Sequence, residues 1–87
     1  MKKNRDKDLD RFIDEAREAE ERSHGLWRTA YGCVREVLEA ARAEGRTAEH
    51  AAGVLERSAG SRRKGEPTAV AVLRQFARRI RTWSKGR

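Results

Sequence analysis

The chain has 87 residues, one cysteine and a formal charge of +7. This length predicts one small domain over residues 1–87, because a second core needs a longer chain. The single cysteine, Cys33, excludes an intramolecular disulfide and a cysteine-based zinc site. No apolar run reaches the roughly 18 residues that span a bilayer. We therefore expect a protein of a reducing compartment, most simply the cytoplasm, without membrane association.

The charge is divided unequally between the two halves of the chain. Residues 1–44 carry ten Lys or Arg against eleven Asp or Glu, whereas residues 45–87 carry eleven against three. Apolar residues make up 37% of the chain, but thirteen of them are alanines. A core built from so few large side chains is thin, so we expect the chain to form a dimer or another homo-oligomer.

The first half carries one long apolar stripe with helical spacing. At about 100° per residue its members fall on one side of a helix, and the phase continues through residues 23–25. This continuity favours one helix from about residue 6 to residue 44. The alternative is a break near residues 23–25, where Ser23 offers a cap for a new helix and Gly25 costs about 1 kcal/mol inside an old one. The stripe comprises Leu9, Phe12, Ile13, Ala16, Trp27, Ala30, Tyr31, Val34, Leu38 and Ala41.

Two further helices follow in the second half. Gly45 and Thr47 are typical of a helix end followed by a new cap, which predicts a helix over about 48–58. A charged loop occupies residues 60–66, and Pro67 suits the first turn of a final helix that runs to about residue 84 or 85. We expect short flexible ends at 1–5 and 85–87. The fold class is therefore all-α, a small bundle of three helices (long, short, medium), or of four if the first breaks.

Helix length sets a condition on the first helix. Unbroken, its 39 residues would span roughly 58 Å, whereas the other two helices laid end to end cover about 45 Å. Either the chain breaks near residues 23–25, or an apolar patch stays uncovered and docks onto a second copy or a partner. That docking patch would consist of Leu9, Phe12, Ile13 and Ala16.

The final helix contains the segment FARRIRTW, residues 76–83. Its spacing turns Phe76, Ile80 and Trp83 toward the core and leaves a row of cations on the opposite side. Arginine forms bidentate contacts with phosphate, so this row and the basic loop are candidates for binding nucleic acid or an acidic protein surface. The candidate residues are Arg62, Arg63, Lys64, Arg74, Arg78, Arg81 and Lys85.

The basic row has two other interpretations. A small helical domain commonly solvates its outer face with charge, which requires no partner. The first helix also carries an acidic ridge that could pair with the basic row within one chain or between two copies. The acidic ridge consists of Asp10, Asp14, Glu18 and Glu21.

Signals for catalysis or sequence-specific DNA recognition are missing from the pattern. His24 and His50 have no metal-binding spacing, and Cys33 has no base beside it in sequence. The loop of about eight residues before the last helix exceeds the turn of a helix-turn-helix motif. We therefore predict no catalytic residues, no metal site, no cofactor and no enzymatic activity.

Two functions remain from the sequence. The first is a small basic helical protein that binds DNA or RNA through phosphate contacts, without strong sequence specificity. The alternative is a protein-binding adaptor or inhibitor, of the compact kind that phages and mobile elements encode. Such a protein would dock its charged ridges or its apolar patch onto a larger protein or nucleoprotein complex.

Overall fold

The computed structural model describes residues 7–62 and 65–85, with only the backbone of Lys85. This part of the chain is all-helical, as predicted, and contains no strand. The predicted continuous first helix is wrong, and the four-helix alternative is confirmed. The helices are α1 (Lys7–Arg22), α2 (Gly25–Ala43), α3 (Ala48–Gly60) and α4 (Pro67–Lys85).

The break between α1 and α2 is short and depends on Gly25. Gly25 has φ +62°, a left-handed conformation that side chains with a Cβ rarely adopt. Before it, His24 is extended (φ −133°, ψ 158°) and occupies the N-cap of α2 without a side-chain capping bond. The N-cap position is thus His24 and not Ser23. The backbone N–H of Ser23 donates a hydrogen bond to the carbonyl oxygen of Glu20 at 3.3 Å.

The fold-back explains why the apolar stripe kept its phase. Once the chain reverses at residues 23–24, both halves of the stripe face the same core, except for Trp27, which the spacing predicted to be in the stripe but which is 50% exposed. The molecule measures 45 Å along its longest axis, shorter than the span of an unbroken first helix. The apolar residues at the start of α1 are covered by the chain's own core. Leu9, Phe12 and Ile13 are each 1% exposed and Ala16 is 0% exposed, so these four residues leave no uncovered docking patch.

In the second half of the chain, the helices end and begin close to the residues that the sequence predicted. Gly45 follows α2 with φ +73°. Thr47 caps α3 by accepting a hydrogen bond from the backbone N–H of His50 at 3.0 Å. α3 presents mainly alanines to the core, which allows close approach of its neighbours. Pro67 begins α4, where its missing N–H costs no intrahelical bond.

The core runs through the centre of the bundle. α2 packs against the three other helices, and α4 packs against α2 and α3. α1 also meets α4 through side chains, since the rings of Phe12 and Trp83 pack edge to face with centroids 6.3 Å apart. The largest fully buried side chains are Phe12, Leu9, Ile13, Leu38, Leu55, Leu73, Ile80, Val34 and Val72. Among the described helices, none is both long and apolar enough to span a membrane.

Candidate nucleic-acid interface

α4 divides its side chains between the core and the solvent. Phe76 is 3% exposed and Ile80 is 0% exposed, so both face inward as predicted. Trp83, near the end of the helix, remains 38% exposed. Arg74 and Arg78 lie on the opposite, exposed side of the helix. The apolar residues of α4 therefore hold the helix in place while its arginines face outward.

Arg74 and Arg78 form the centre of the outer face of α4. They are four residues apart, which places them one turn apart, about 6 Å along the axis. Neither makes an ion pair or hydrogen bond with any described side chain. A shallow depression of about 410 Å³ lies beside them, lined by Ala71, Arg74, Gln75, Arg78 and Arg79. The small Ala71 and the uncharged Gln75 leave the two guanidinium groups accessible.

Most other described arginines are already paired with a carboxylate. These are Arg11, Arg17, Arg35, Arg42, Arg46, Arg62, Arg79 and Arg81. Within the described ranges the arginines without such a partner are Arg22, Arg28, Arg57, Arg74 and Arg78. Arg74 and Arg78 therefore differ from the general pattern of this surface.

Arg81 belongs to the predicted row but has a partner on α3. Its Nε and Nη2 donate to the two carboxylate oxygens of Glu56, at 2.7 and 2.9 Å. These hydrogen bonds raise the pKa of Arg81 and lower the pKa of Glu56. The pair joins α3 to α4, and Glu56 neutralises part of the positive charge at this edge of the row.

Arg57 is a cation on this face that sequence reasoning missed. It is exposed on α3, one turn after Gly53. A Cβ at Gly53 would lie 3.7 Å from Arg57 Nη1 and 3.8 Å from Arg81 Nη2, so the two guanidinium groups approach each other above this glycine. The signal available in the sequence was Arg57 on the outer side of the short helix. Its proximity to α4 depends on how α3 packs against α4, and this packing could not be predicted from the sequence alone.

The residues predicted in the basic loop are placed differently. Arg62 is half-buried; its Nη1 donates to Glu66 at 3.0 Å and its Nη2 lies 3.6 Å from Cys33 Sγ. The hydrogen bond with Glu66 is the main reason that the pKa of Arg62 is raised. Arg62 thus connects the loop to α2 and does not join the outer face of α4. Arg63 and Lys64 lie outside the described residues, and Lys85 ends α4.

The acidic ridge of α1 leaves the outer face of α4 unpaired. Asp10 accepts a hydrogen bond from Arg42 at 3.2 Å. The remaining members of the ridge, Asp14, Glu18 and Glu21, are exposed and make no ion pair with a described residue. Pairing between α1 and α4 uses flanking residues instead, with Arg79 Nη1 2.6 Å from Glu15 Oε1. The surface therefore has an acidic side on α1 and a basic side on α4.

The histidines and the cysteine do not form a reactive cluster. His24 occupies the N-cap position of α2 without a capping bond, His50 lies in the first turn of α3, and both are exposed. Cys33 is half-buried beside Arg62. In the part of the chain that the structure describes, no three His, Cys, Asp or Glu side chains are grouped as a metal ion would require.

Comparisons with protein-family models, curated proteins and solved structures gave no match.

Proposed function

We propose that this protein is a non-enzymatic nucleic-acid-binding protein that contacts phosphates through the outer face of α4. The observation that carries the proposal is the pair Arg74 and Arg78, exposed and without a carboxylate partner among the described residues. Arg81 of α4 and Arg57 of α3, whose guanidinium groups both lie close to Gly53, extend this positive surface toward α3. Together these four arginines form what we call the basic face.

The chemistry of arginine fits this role. A guanidinium group presents several donors in a planar fork that matches two phosphate oxygens, and it stays charged at any physiological pH. Each phosphate neutralised releases condensed counterions, which makes binding favourable at low salt and weaker at high salt.

Sequence readout is not expected from this surface. Residues 68–71, the first turn of α4, carry Thr68, Ala69, Val70 and Ala71, which lack the long polar side chains that read base edges. Contacts to phosphate supply affinity and orientation but no sequence information. The proposed binding is therefore largely independent of sequence.

The test is a pair of variants with equal change in charge. Arg74→Gln with Arg78→Gln should weaken binding to mixed-sequence DNA and RNA and reduce the slope of log affinity against log salt by roughly 1.5 to 2. The control is Lys7→Gln with Arg22→Gln, which removes two exposed cations of α1 that, like Arg74 and Arg78, make no ion pair with a described residue. If both variants change the slope equally, net charge alone drives binding and the proposed face is wrong.

A second candidate is the adaptor or inhibitor role, which one observation favours. A groove of about 340 Å³ runs between α2 and α3, with Val37, Ala40 and Val54 among its lining residues. Leu26, at the edge of an adjoining groove, is 73% exposed. A surface of this kind suits a protein partner, including a second copy of the chain.

Sedimentation over a range of concentrations tests the homo-oligomeric form of this candidate. A dimer that dissociates in Val37→Glu would support an interface at the groove. A wild-type chain that stays monomeric at high concentration would contradict a second copy as the occupant.

A further inference from the structure

The turn between α1 and α2 depends on the backbone conformation of Gly25. Only Ser23 and His24 separate the two helices. Gly25 has φ +62°, and a Cβ added to it would meet no other atom within 4 Å, so its conformation alone restricts the position to glycine. His24 adds no side-chain capping bond. Short hinges of this kind are the places where identical chains exchange a helix.

The apolar stripe of α1 and α2 fits a straightened hinge. Its members keep one helical phase through residues 23–25, from Leu9 at one end to Ala41 at the other. A turn is compatible with this shared phase, whereas one straight helix requires it, because both halves must then face their cores from the same side. Straightening would also remove two helix ends and satisfy their backbone groups within the helix.

The ion pairs between α1 and α2 define how the two helices are aligned. They are Arg17–Glu39, Glu20–Arg35 and Asp10–Arg42, with N–O distances of 2.9, 2.7 and 3.2 Å. The residue number rises on one helix as it falls on the other, so the helices are antiparallel. The midpoint of each pair in sequence lies between residues 26 and 28. If two copies exchanged α1 in this register, their straightened helices would be antiparallel, with a two-fold axis beside about residue 27.

Trp27 stands at the position of that axis. Its side chain is 50% exposed in the folded-back chain, and that of the neighbouring Leu26 is 73% exposed. On a straightened helix Trp27 points in the direction of the stripe, toward the antiparallel partner helix. The indoles of two copies would then cover each other and remove apolar surface from water.

We propose that two copies of this chain exchange α1, forming a dimer in which α1 and α2 of each copy are one continuous helix. Each α1 keeps its contacts, because it packs on the other copy as it packs on its own chain here. The monomer and the dimer therefore differ at the hinge and at Trp27, and these two places determine the balance between them. The exchange goes beyond the proposed function and does not rest on it.

The first experiment compares Gly25→Ala with a matched glycine by sedimentation over a range of concentrations. Alanine is strained in the left-handed conformation and is favoured over glycine inside a helix, so the dimer should gain about thirtyfold at each hinge. With two hinges, the concentration that gives half dimer should fall about a thousandfold. A Gly25→Ala chain that stays monomeric at the highest concentration reached would overturn the proposal.

Gly45→Ala is the matched control. Gly45 has φ +73° and equally open surroundings, but Thr47 caps α3 directly after it and preserves the break. This variant should be destabilised like any chain with alanine in a left-handed position, and its dimerisation should match that of the unmodified chain. Equal dimerisation of Gly25→Ala and Gly45→Ala would contradict exchange at the α1–α2 hinge.

A mixture of two charge-reversed chains identifies α1 as the exchanged part. In the Gly25→Ala background, one chain carries Arg17→Glu and the other Glu39→Arg, so each alone has like charges at the contact between positions 17 and 39. Exchange between the two different chains restores opposite charges at both contacts. After joint refolding, native mass spectrometry should show an excess of heterodimer over random pairing. Random pairing would overturn the exchange and indicate a dimer through another surface, such as the groove between α2 and α3.

The position of the two-fold axis has its own test. Trp27→Glu places two carboxylates together at the axis and should weaken dimerisation of the Gly25→Ala chain about a hundredfold, whereas Trp27→Phe should weaken it far less. In the Trp83→Phe chain, Trp27 is the remaining tryptophan, and its emission should shift to shorter wavelength as the Gly25→Ala dimer forms. Unchanged dimerisation of Trp27→Glu together with unchanged emission would overturn the proposed register.

Discussion

Glu56 of α3 holds Arg81 of α4 by two hydrogen bonds, with Arg81 Nε and Nη2 2.7 and 2.9 Å from the two carboxylate oxygens. A carboxylate in this position competes with phosphate for the same guanidinium. The pair is exposed, so its contribution to stability is small. Its main consequence is that Arg81 is less available to a ligand than the other arginines of the basic face.

Glu56→Gln should therefore strengthen nucleic-acid binding. The substitution removes a negative charge from the basic face and frees Arg81 for a phosphate, which should steepen the salt slope by about one contact, or roughly 0.7 to 0.9. Glu18→Gln on α1 makes the same change in net charge on the opposite, acidic side and serves as the control. If the two variants strengthen binding equally, Glu56 has no specific role.

The pH dependence of stability should follow the ion pairs between α1 and α2. Glu20 accepts a hydrogen bond from Arg35 Nε at 2.7 Å, and this bond lowers the pKa of Glu20 below its ordinary value of 4.5. A carboxyl group with a lower pKa in the folded state stabilises the fold at pH values above 4.5. That contribution is lost as the pH falls through the lower, folded-state pKa. Glu39, which binds Arg17 and Arg35, acts in the same direction.

Thermal unfolding between about pH 7 and pH 3 measures this effect. The chain should lose stability across the acid range, and Glu20→Gln should lose less because its contribution is already absent. Glu18→Gln, which removes an unpaired carboxylate on α1, should retain the acid dependence of the unmodified chain. Identical pH profiles for all three proteins would argue against the role of the Glu20–Arg35 pair.

The position of the core is tested by two leucines of the same helix. Leu38 is 0% exposed and Leu26 is 73% exposed. Leu38→Ala should lower the free energy of unfolding by about 3 kcal/mol, because it leaves a cavity in the bundle. Leu26→Ala should change it by less than about 0.5 kcal/mol. Urea unfolding of both variants gives the comparison, and equal losses would mean that α2 is rotated relative to this structure.

The N-cap of α2 is a position where one substitution should raise the stability of the fold. His24 occupies its N-cap without a side-chain capping bond. Asp at this position would accept a hydrogen bond from a backbone N–H of the first turn and favour the positive end of the helix. His24→Asp should therefore raise the free energy of unfolding by about 1 kcal/mol.

The N-cap of α3 provides the opposite control for this prediction. Thr47 already caps α3 through the N–H of His50, so Thr47→Ala should lower stability by about 1 kcal/mol. A destabilised His24→Asp variant would show that α2 does not begin at Gly25.

Local signals predicted the second half of the fold well. Gly45, Thr47 and Pro67 each act through the conformation or hydrogen bonding of one or two residues, so their effect could be read from the sequence. The inward position of Phe76 and the outward position of Arg78 followed from helical spacing alone.

The first half required information that periodicity does not contain. A stripe with constant phase describes a straight helix and a helix folded back on itself equally well, because both place the stripe on one core. The break at residues 23–24 decides the exposure of Trp27 and the burial of Leu9. Arg57 was missed for a related reason, since its approach to Arg81 depends on how α3 packs on α4.

The most direct test of the central claim is the salt dependence of binding between the unmodified chain and labelled nucleic acid of mixed sequence. If the basic face binds phosphates through Arg57, Arg74 and Arg78 while Glu56 holds Arg81, log affinity should fall linearly with log salt, with a slope of roughly −2 to −3 that corresponds to on the order of three phosphates. Absence of binding even at low salt would contradict the account, and the arginines of α4 would then be a solvated or protein-facing surface.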